Sequence, residues 1–256
     1  FLPIQLVLPN VADLVFNGPS LRREFLDWGV FHVKQEYVRL ARQYRKGLRQ
    51  RNAWLRDTKP DEGTQDPWLP AITEVGQQIS ALREGYLARL TPIFDEILAR
   101  LDPELDCLLG YHAGGYEKNL AETRKKMAES KARDVKSGAT HLGPHRADVA
   151  IWLAEASAQE TASRGQGKTI SSAAALSQST TRVLALESEL RKEAALKQGA
   201  PAQGLFLWRS CFIVTPDLSI YQTLYPEMAD SPGSSSSSLF WRTLPGILGT
   251  KTTETT

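Results

Sequence analysis

The chain has 256 residues, 41% of them hydrophobic and 23% charged, with a formal net charge of +2. This is the make-up of a globular protein with room for one large or two small domains. It excludes a helical membrane protein, because no apolar run reaches the length of a span, and the charge excess is too small to argue for nucleic acid by itself.

In chain order, residues 4–8 alternate weakly and predict a short strand ending at Pro9. Residues 11–16 suit either a strand or one to two helical turns. Gly18-Pro19 is a break with Pro19 placed to start a helix, which Gly29 is expected to stop. A long helix is predicted over 34–56, with Tyr37, Leu40, Ala41, Tyr44, Leu48 and Leu55 on one face. A polar loop follows to Pro67. A second long helix then runs to about Leu101, to be kinked or split at Pro92. The two should pack antiparallel. Residues 105–111 suit a strand, Ala113-Gly114-Gly115 a turn and 116–134 a charged helix. A strand over 149–153, a helix over 170–190 and a buried strand over 204–208 complete the pattern. The end, from Ser231, is of low complexity and carries no structural expectation.

Two cysteines, Cys107 and Cys211, have no metal-like spacing, which fits a reducing cytoplasm and argues against structural zinc. Phe1-Leu2-Pro3 lacks the basic start of a secretion signal. A first residue other than Met suggests a fragment of a longer chain.

Four groups of residues bear on chemistry. Ser163-Arg164-Gly165-Gln166 precedes a helix. The free N–H groups and dipole of such a helix start favour an anion, and a serine there either caps the helix or offers its hydroxyl to a phosphate. In the first long helix Arg39, Arg42, Arg45, Lys46 and Arg49 occur with no acid from Arg39 to Arg56. Such a row is either a solvated face or a contact for DNA phosphates, salt-sensitive and blind to sequence. His145 and Arg146 follow the turn Gly143-Pro144 and mark either a structural turn or a polar cluster near a nucleotide or lobe junction. Asp148 would pair with Arg146 or cap a neighbour, and alone it is no metal ligand. Trp28, Trp54 and Trp68 adjoin apolar helix faces and are expected in the core. No Ser/His/Asp or Cys/His nucleophile stands out. Ala162 to Thr169 fits a relaxed phosphate-loop pattern, but no strand precedes it as a true phosphate loop requires.

The blocks Gly18-Pro19-Ser20-Leu21-Arg22-Arg23-Glu24-Phe25-Leu26-Asp27-Trp28, Gln50-Arg51-Asn52-Ala53-Trp54-Leu55 and Gly138 to Asp148 resemble the bacterial DNA replication and repair protein RecF family. The Ser163 element resembles that family's ABC-type signature motif. The order and approximate spacing agree over 1–207, weakening after about 190; Asn10 departs, where the family more often has an acid. The resemblance implies an α/β fold with a large helical insertion: a partial P-loop NTPase lobe of the ABC/SMC-head type plus an all-α lobe. Residues 1–17 would end the first part of the ATPase lobe and 18–134 form the helical lobe. Residues 135–208 would return to the ATPase lobe, and 209–256 form a divergent tail.

The resemblance further implies ATP sandwiched in an ATP-dependent homodimer, with Ser163, Arg164, Gly165 and Gln166 at the nucleotide of the other subunit. Ser163 and the Gly165 backbone would touch it, and Gln166 would support the loop. The implied role is ATP-gated DNA binding at single-strand gaps and recombinase loading with RecR- and RecO-type partners. ATP and Mg²⁺ are the full-length family's cofactors. Walker A is expected before Phe1, and no acidic Walker B pair follows 204–207, where Trp208-Arg209-Ser210 stands instead. This chain alone is therefore predicted not to hydrolyse ATP. The alternative is a non-catalytic helical module that binds DNA or protein without nucleotide.

Overall fold

The computed structural model describes residues 4–6, 13–61, 63–196 and 212–214. Helix α1 (Asp13–Phe16) settles the open choice over 11–16 in favour of one helical turn. Helix α2 (Pro19–Val33) starts on Pro19, whose missing N–H costs nothing in a first turn. It does not stop at Gly29. A Cβ at Gly29 would lie 2.4 Å from the Tyr86 ring, so this glycine lets two helices approach closely and does not end one.

Helix α3 (Glu36–Thr58) buries Tyr37, Leu40, Tyr44 and Leu55 along one stripe and ends at Lys59, which takes a left-handed φ of 44°. Helix α4 (Leu69–Leu101) is one helix of 33 residues, about 50 Å long, and Pro92 does not split it. Pro92 leaves the Ala88 carbonyl without its helical donor. Leu87, Leu90, Phe94 and Leu98 are buried on both sides of it, and their packing keeps the element whole. The two helices run antiparallel, as expected: Arg83 donates to the Tyr37 hydroxyl, Gly47 faces Ile72, and Arg51 reaches Asp66.

The charged stretch after β2 (Cys107–His112) is two helices, α5 (Leu120–Glu129) and α6 (Lys131–Ser137). Asn119 caps the first by accepting from the Ala121 N–H at 2.9 Å, and Ser130 separates the two. Strand β2 pairs antiparallel with β3 (Asp148–Leu153), which pairs with β4 (Ala156–Ser157). The inner face of this sheet presents Cys107, Val149 and Ile151 to the core. The turn after β2 needs its glycines, since Gly114 and Gly115 have φ of +67° and +86°.

Helix α7 (Ala158–Thr161) leads to α8 (Arg164–Leu196). Residues 170–179 of α8 are all buried, against α1, α2 and α4 among others. Strand β1 (Ile4–Leu6) pairs parallel with β5 (Phe212–Val214), joining the two ends of the described chain. The expected strand over 204–208 lies outside the described residues, as does the low-complexity tail. Trp54 and Trp68 are partly buried, but Trp28 is 37% exposed and carries the Arg182 guanidinium 5.8 Å from its ring centroid. Its expected place in the core is corrected by the packing of α2, which turns Leu26 and Val30 inward instead. No helix among the described residues is long and apolar enough to cross a membrane.

Candidate nucleotide and nucleic-acid interface

The Ser163 element opens α8 as a capping box. The Gln166 N–H donates to Ser163 Oγ at 3.2 Å, and the Ser163 N–H donates to Gln166 Oε1 at 2.8 Å. Gln166 thus braces the turn. Ser163, Arg164 and Gly165 are exposed, and the N–H groups of Arg164 and Gly165 have no internal partner among the described residues. The Ser163 hydroxyl accepts one bond in the cap and keeps its proton for an outside acceptor. Two free N–H groups and one O–H on the open end of a long helix suit a terminal phosphate. Gly167, by contrast, is a packing glycine, because a Cβ there would meet Phe16 at 2.4 Å.

This geometry also disposes of the relaxed phosphate loop. Thr161 ends a helix, and Gly165 to Thr169 are themselves helical, so no strand leads into a phosphate-wrapping loop. Among the described residues no group of three or more His, Cys, Asp or Glu side chains is placed to hold a metal. Burial pushes the Cys107 thiol up to about 12, so no thiolate nucleophile exists there near neutral pH.

Arg39, Arg42, Arg45, Lys46 and Arg49 are all exposed on α3, and among the described residues none forms an ion pair. Arg51 differs entirely. It is 0% exposed and donates from Nε to Asp66 and from Nη1 to Asp134, both at 2.8 Å, and from Nη1 to Thr140 Oγ1 at 2.7 Å. Asp134 also accepts from the His141 N–H and Nδ1–H, and Asn52 accepts from the Thr140 N–H and hydroxyl.

His145 has both ring nitrogens engaged. The Thr140 carbonyl can only accept, so Nε2 carries the proton and donates to it at 2.9 Å, while Nδ1 accepts from the Tyr44 hydroxyl at 2.9 Å. Burial holds His145 below the usual histidine range, and the charges of Arg146 and Arg23 add to this. Arg146 itself is exposed. Asp148 does not pair with Arg146, but its Oδ1 accepts from the N–H of the neighbouring Val149 at 2.8 Å. Arg22 grips the Asp148 carboxylate with two parallel bonds, Nε to Oδ1 at 2.8 Å and Nη2 to Oδ2 at 2.9 Å. Sequence reasoning does not reach that pairing, because the partners are 126 residues apart. The doublet Arg22-Arg23, basic and next to an apolar helix stripe, is the available signal.

The structure therefore joins the separate blocks. Arg22 of the first meets Asp148, Arg51 and Asn52 of the second meet Thr140, and Tyr44 holds His145. The arrangement is a small antiparallel sheet with a larger helical part beside it. Two solved structures share this fold. One, described as the recombination mediator protein RecF-ATP in the RecFOR pathway, superposes with a TM-score of 0.68 over 84% of this chain and 62% of that one, at 22% identity. The other, described as RecF-ATPrS in the same pathway, gives 0.66 over 73% and 53%, at 23% identity.

In sequence the chain is 41% identical over 170 residues to the DNA replication and repair protein RecF of Pseudomonas aeruginosa (strain UCBPP-PA14), covering 66% of this chain and 45% of that protein. It is 36% identical over 178 residues to RecF of Marinomonas sp. (strain MWYL1), covering 69% and 48%. The chain is RecF-like over the part matched. It spans about half the length of these curated relatives. No family model matches it.

Proposed function

We propose that this chain is the part of an ATP-gated DNA-binding protein of recombinational repair that carries the signature element and the helical lobe. The observation that supports it most is the exposed capping box at Ser163, whose hydroxyl proton and two free N–H groups face outward at the start of α8. In this reading they contact the γ-phosphate of ATP held by a second subunit, and closure of that homodimer grips DNA at single-strand gaps. Mg²⁺ and the remaining phosphate ligands come from that other subunit's nucleotide site. The exposed cations of α3, from Arg39 to Arg49, contact the DNA backbone. RecR- and RecO-type mediators are the protein partners, and recombinase loading is the outcome. Arg146, exposed beside a His145 that is itself fully engaged, is the member of that pair left to meet an anion.

A second reading has one observation in its favour. The unpaired cations of α3 need no nucleotide to bind DNA, so the chain could act as a helical DNA-binding module. Gel-shift titration of a gapped duplex at two salt concentrations, with and without ATP, separates the two when the chain is extended to include a Walker A loop. ATP-strengthened binding that Ser163→Arg abolishes is the expected result. Binding that ignores both ATP and Ser163→Arg supports the module. No binding even at low salt removes the α3 contact altogether.

A further inference from the structure

Around the 3₁₀ turn Pro144–Arg146, four guanidinium groups share two carboxylates. Both carboxylates already hold partners, Asp148 through both oxygens and Asp27 through Oδ1. Asp148 gives its two oxygens to Arg22 at 2.8 and 2.9 Å. Asp27 accepts from Arg83 Nε at 2.8 Å and Nη2 at 2.6 Å, and from the Tyr37 hydroxyl at 2.5 Å. Arg23 and Arg146 remain, and neither makes an ion pair among the described residues.

These two differ from ordinary surface arginines. Arg23 is partly withdrawn from water, and its Nη1 donates to the Ala147 carbonyl at 2.9 Å. That bond tethers the guanidinium against the residue that follows Arg146 and leaves four of its five N–H donors unspent. Partial burial lowers the Arg23 pKa, and the charges of Arg83 and Arg146 lower it further, with Asp148 and Asp27 offsetting only part. His145, neutral and fully bonded, supplies no negative charge. The corner thus carries more positive than negative charge, with Arg23 tethered beside the exposed Arg146.

We propose that Arg23 and Arg146 form a phosphate-binding site, taking one phosphate group in the fork of two guanidiniums. The phosphate is either a phosphodiester of a nucleic-acid backbone or a terminal phosphate of a nucleotide. Planar guanidiniums bind both through paired, charge-assisted hydrogen bonds. The site goes beyond the Ser163 and α3 contacts and does not depend on them.

The test is arginine footprinting of the full chain with phenylglyoxal, read residue by residue by mass spectrometry. Inorganic pyrophosphate is expected to slow modification of Arg23 and Arg146 together, several-fold, while exposed Arg133 on α6 reacts as before. Equal slowing of all three, or none, overturns the site. Repeating the protection with ATP and with a short duplex names the source, and protection by pyrophosphate alone overturns both sources. Arg146→Gln, a change at an exposed side chain, should remove the protection of Arg23; protection that survives it overturns the two-arginine fork. Ser163→Arg should leave the protection intact, so loss of ATP-strengthened DNA binding in that variant bears on the proposed function alone.

Discussion

Arg49 and Arg51 stand two residues apart on α3 and do opposite work. Arg49 is exposed and unpaired, one of a row of cations along the outer face. Arg51 points inward and ties Asp66 before α4 to Asp134 on α6 and to Thr140 beyond it. A two-residue step turns a helix by about 200°, so neighbours in sequence end up on opposite faces. One face of α3 therefore holds the protein together by charge, and the other presents charge to a partner. The type of residue does not separate the two roles; the carboxylates that meet it do.

That contrast can be broken first by removing the inner cation. Arg51→Leu leaves two buried carboxylates without their partner and should cost about 3–5 kcal/mol, whereas Arg49→Gln should stay within about 0.5 kcal/mol. Urea unfolding of both variants measures the difference, and equal losses would erase the distinction between the faces. Next in size is Gly29. Gly29→Val drives a side chain into the Tyr86 ring and should cost about 1–3 kcal/mol. Gly85→Ala, in α4 with nothing within 4 Å, should instead stabilise by about 0.5–1 kcal/mol.

Ser163→Ala should cost about 1 kcal/mol through loss of the cap. Ser163→Asp should restore the cap yet still abolish any ATP-dependent step, because a carboxylate repels phosphate. Retention of ATP dependence in that variant would reduce Ser163 to a helix start. A smaller effect is expected at His145. Its folded pKa lies below the unfolded value, so its contribution is complete above the unfolded pKa of about 6.5 and is lost as pH falls through that value toward the folded one. Acid titration of stability should show this loss, and His145→Gln should flatten it. The smallest effect on stability is reserved for Arg42→Gln with Lys46→Gln, within about 0.5 kcal/mol. The same pair should lower the salt slope of DNA binding by about 0.9 for each DNA phosphate that is no longer neutralised.

The long helices were legible because α3 and α4 repeat apolar residues at helical spacing over many turns. So were β2 and β3, each bounded by turn residues. Gly29 did not end its helix and Pro92 did not split its own for one reason: both are local breakers, and both sit where tertiary packing outweighs local preference. Gly29 admits Tyr86, and the buried Leu90 and Phe94 hold α4 together past Pro92. The charged run 39–56 was legible as charge but not as two faces, since nothing local marks Arg51 as the one that meets Asp66 and Asp134. Ser163 could be read as cap or phosphate contact, and the geometry shows that its hydroxyl has a hydrogen left after capping.

The bond between Arg22 and Asp148 closes a loop of 126 residues, and that sets a clock. At a ribosome adding about 5–20 residues per second, α2 emerges roughly 6–25 s before Asp148 does. Throughout that interval the guanidinium that belongs inside has only local carbonyls, Leu14, Val15 and Asn17, to hold it. The helical arm of α3 and α4 can form first from local contacts, but its docking to the sheet waits for the chain to return. A nascent chain halted before Asp148 should therefore carry an ordered arm and an unclosed base.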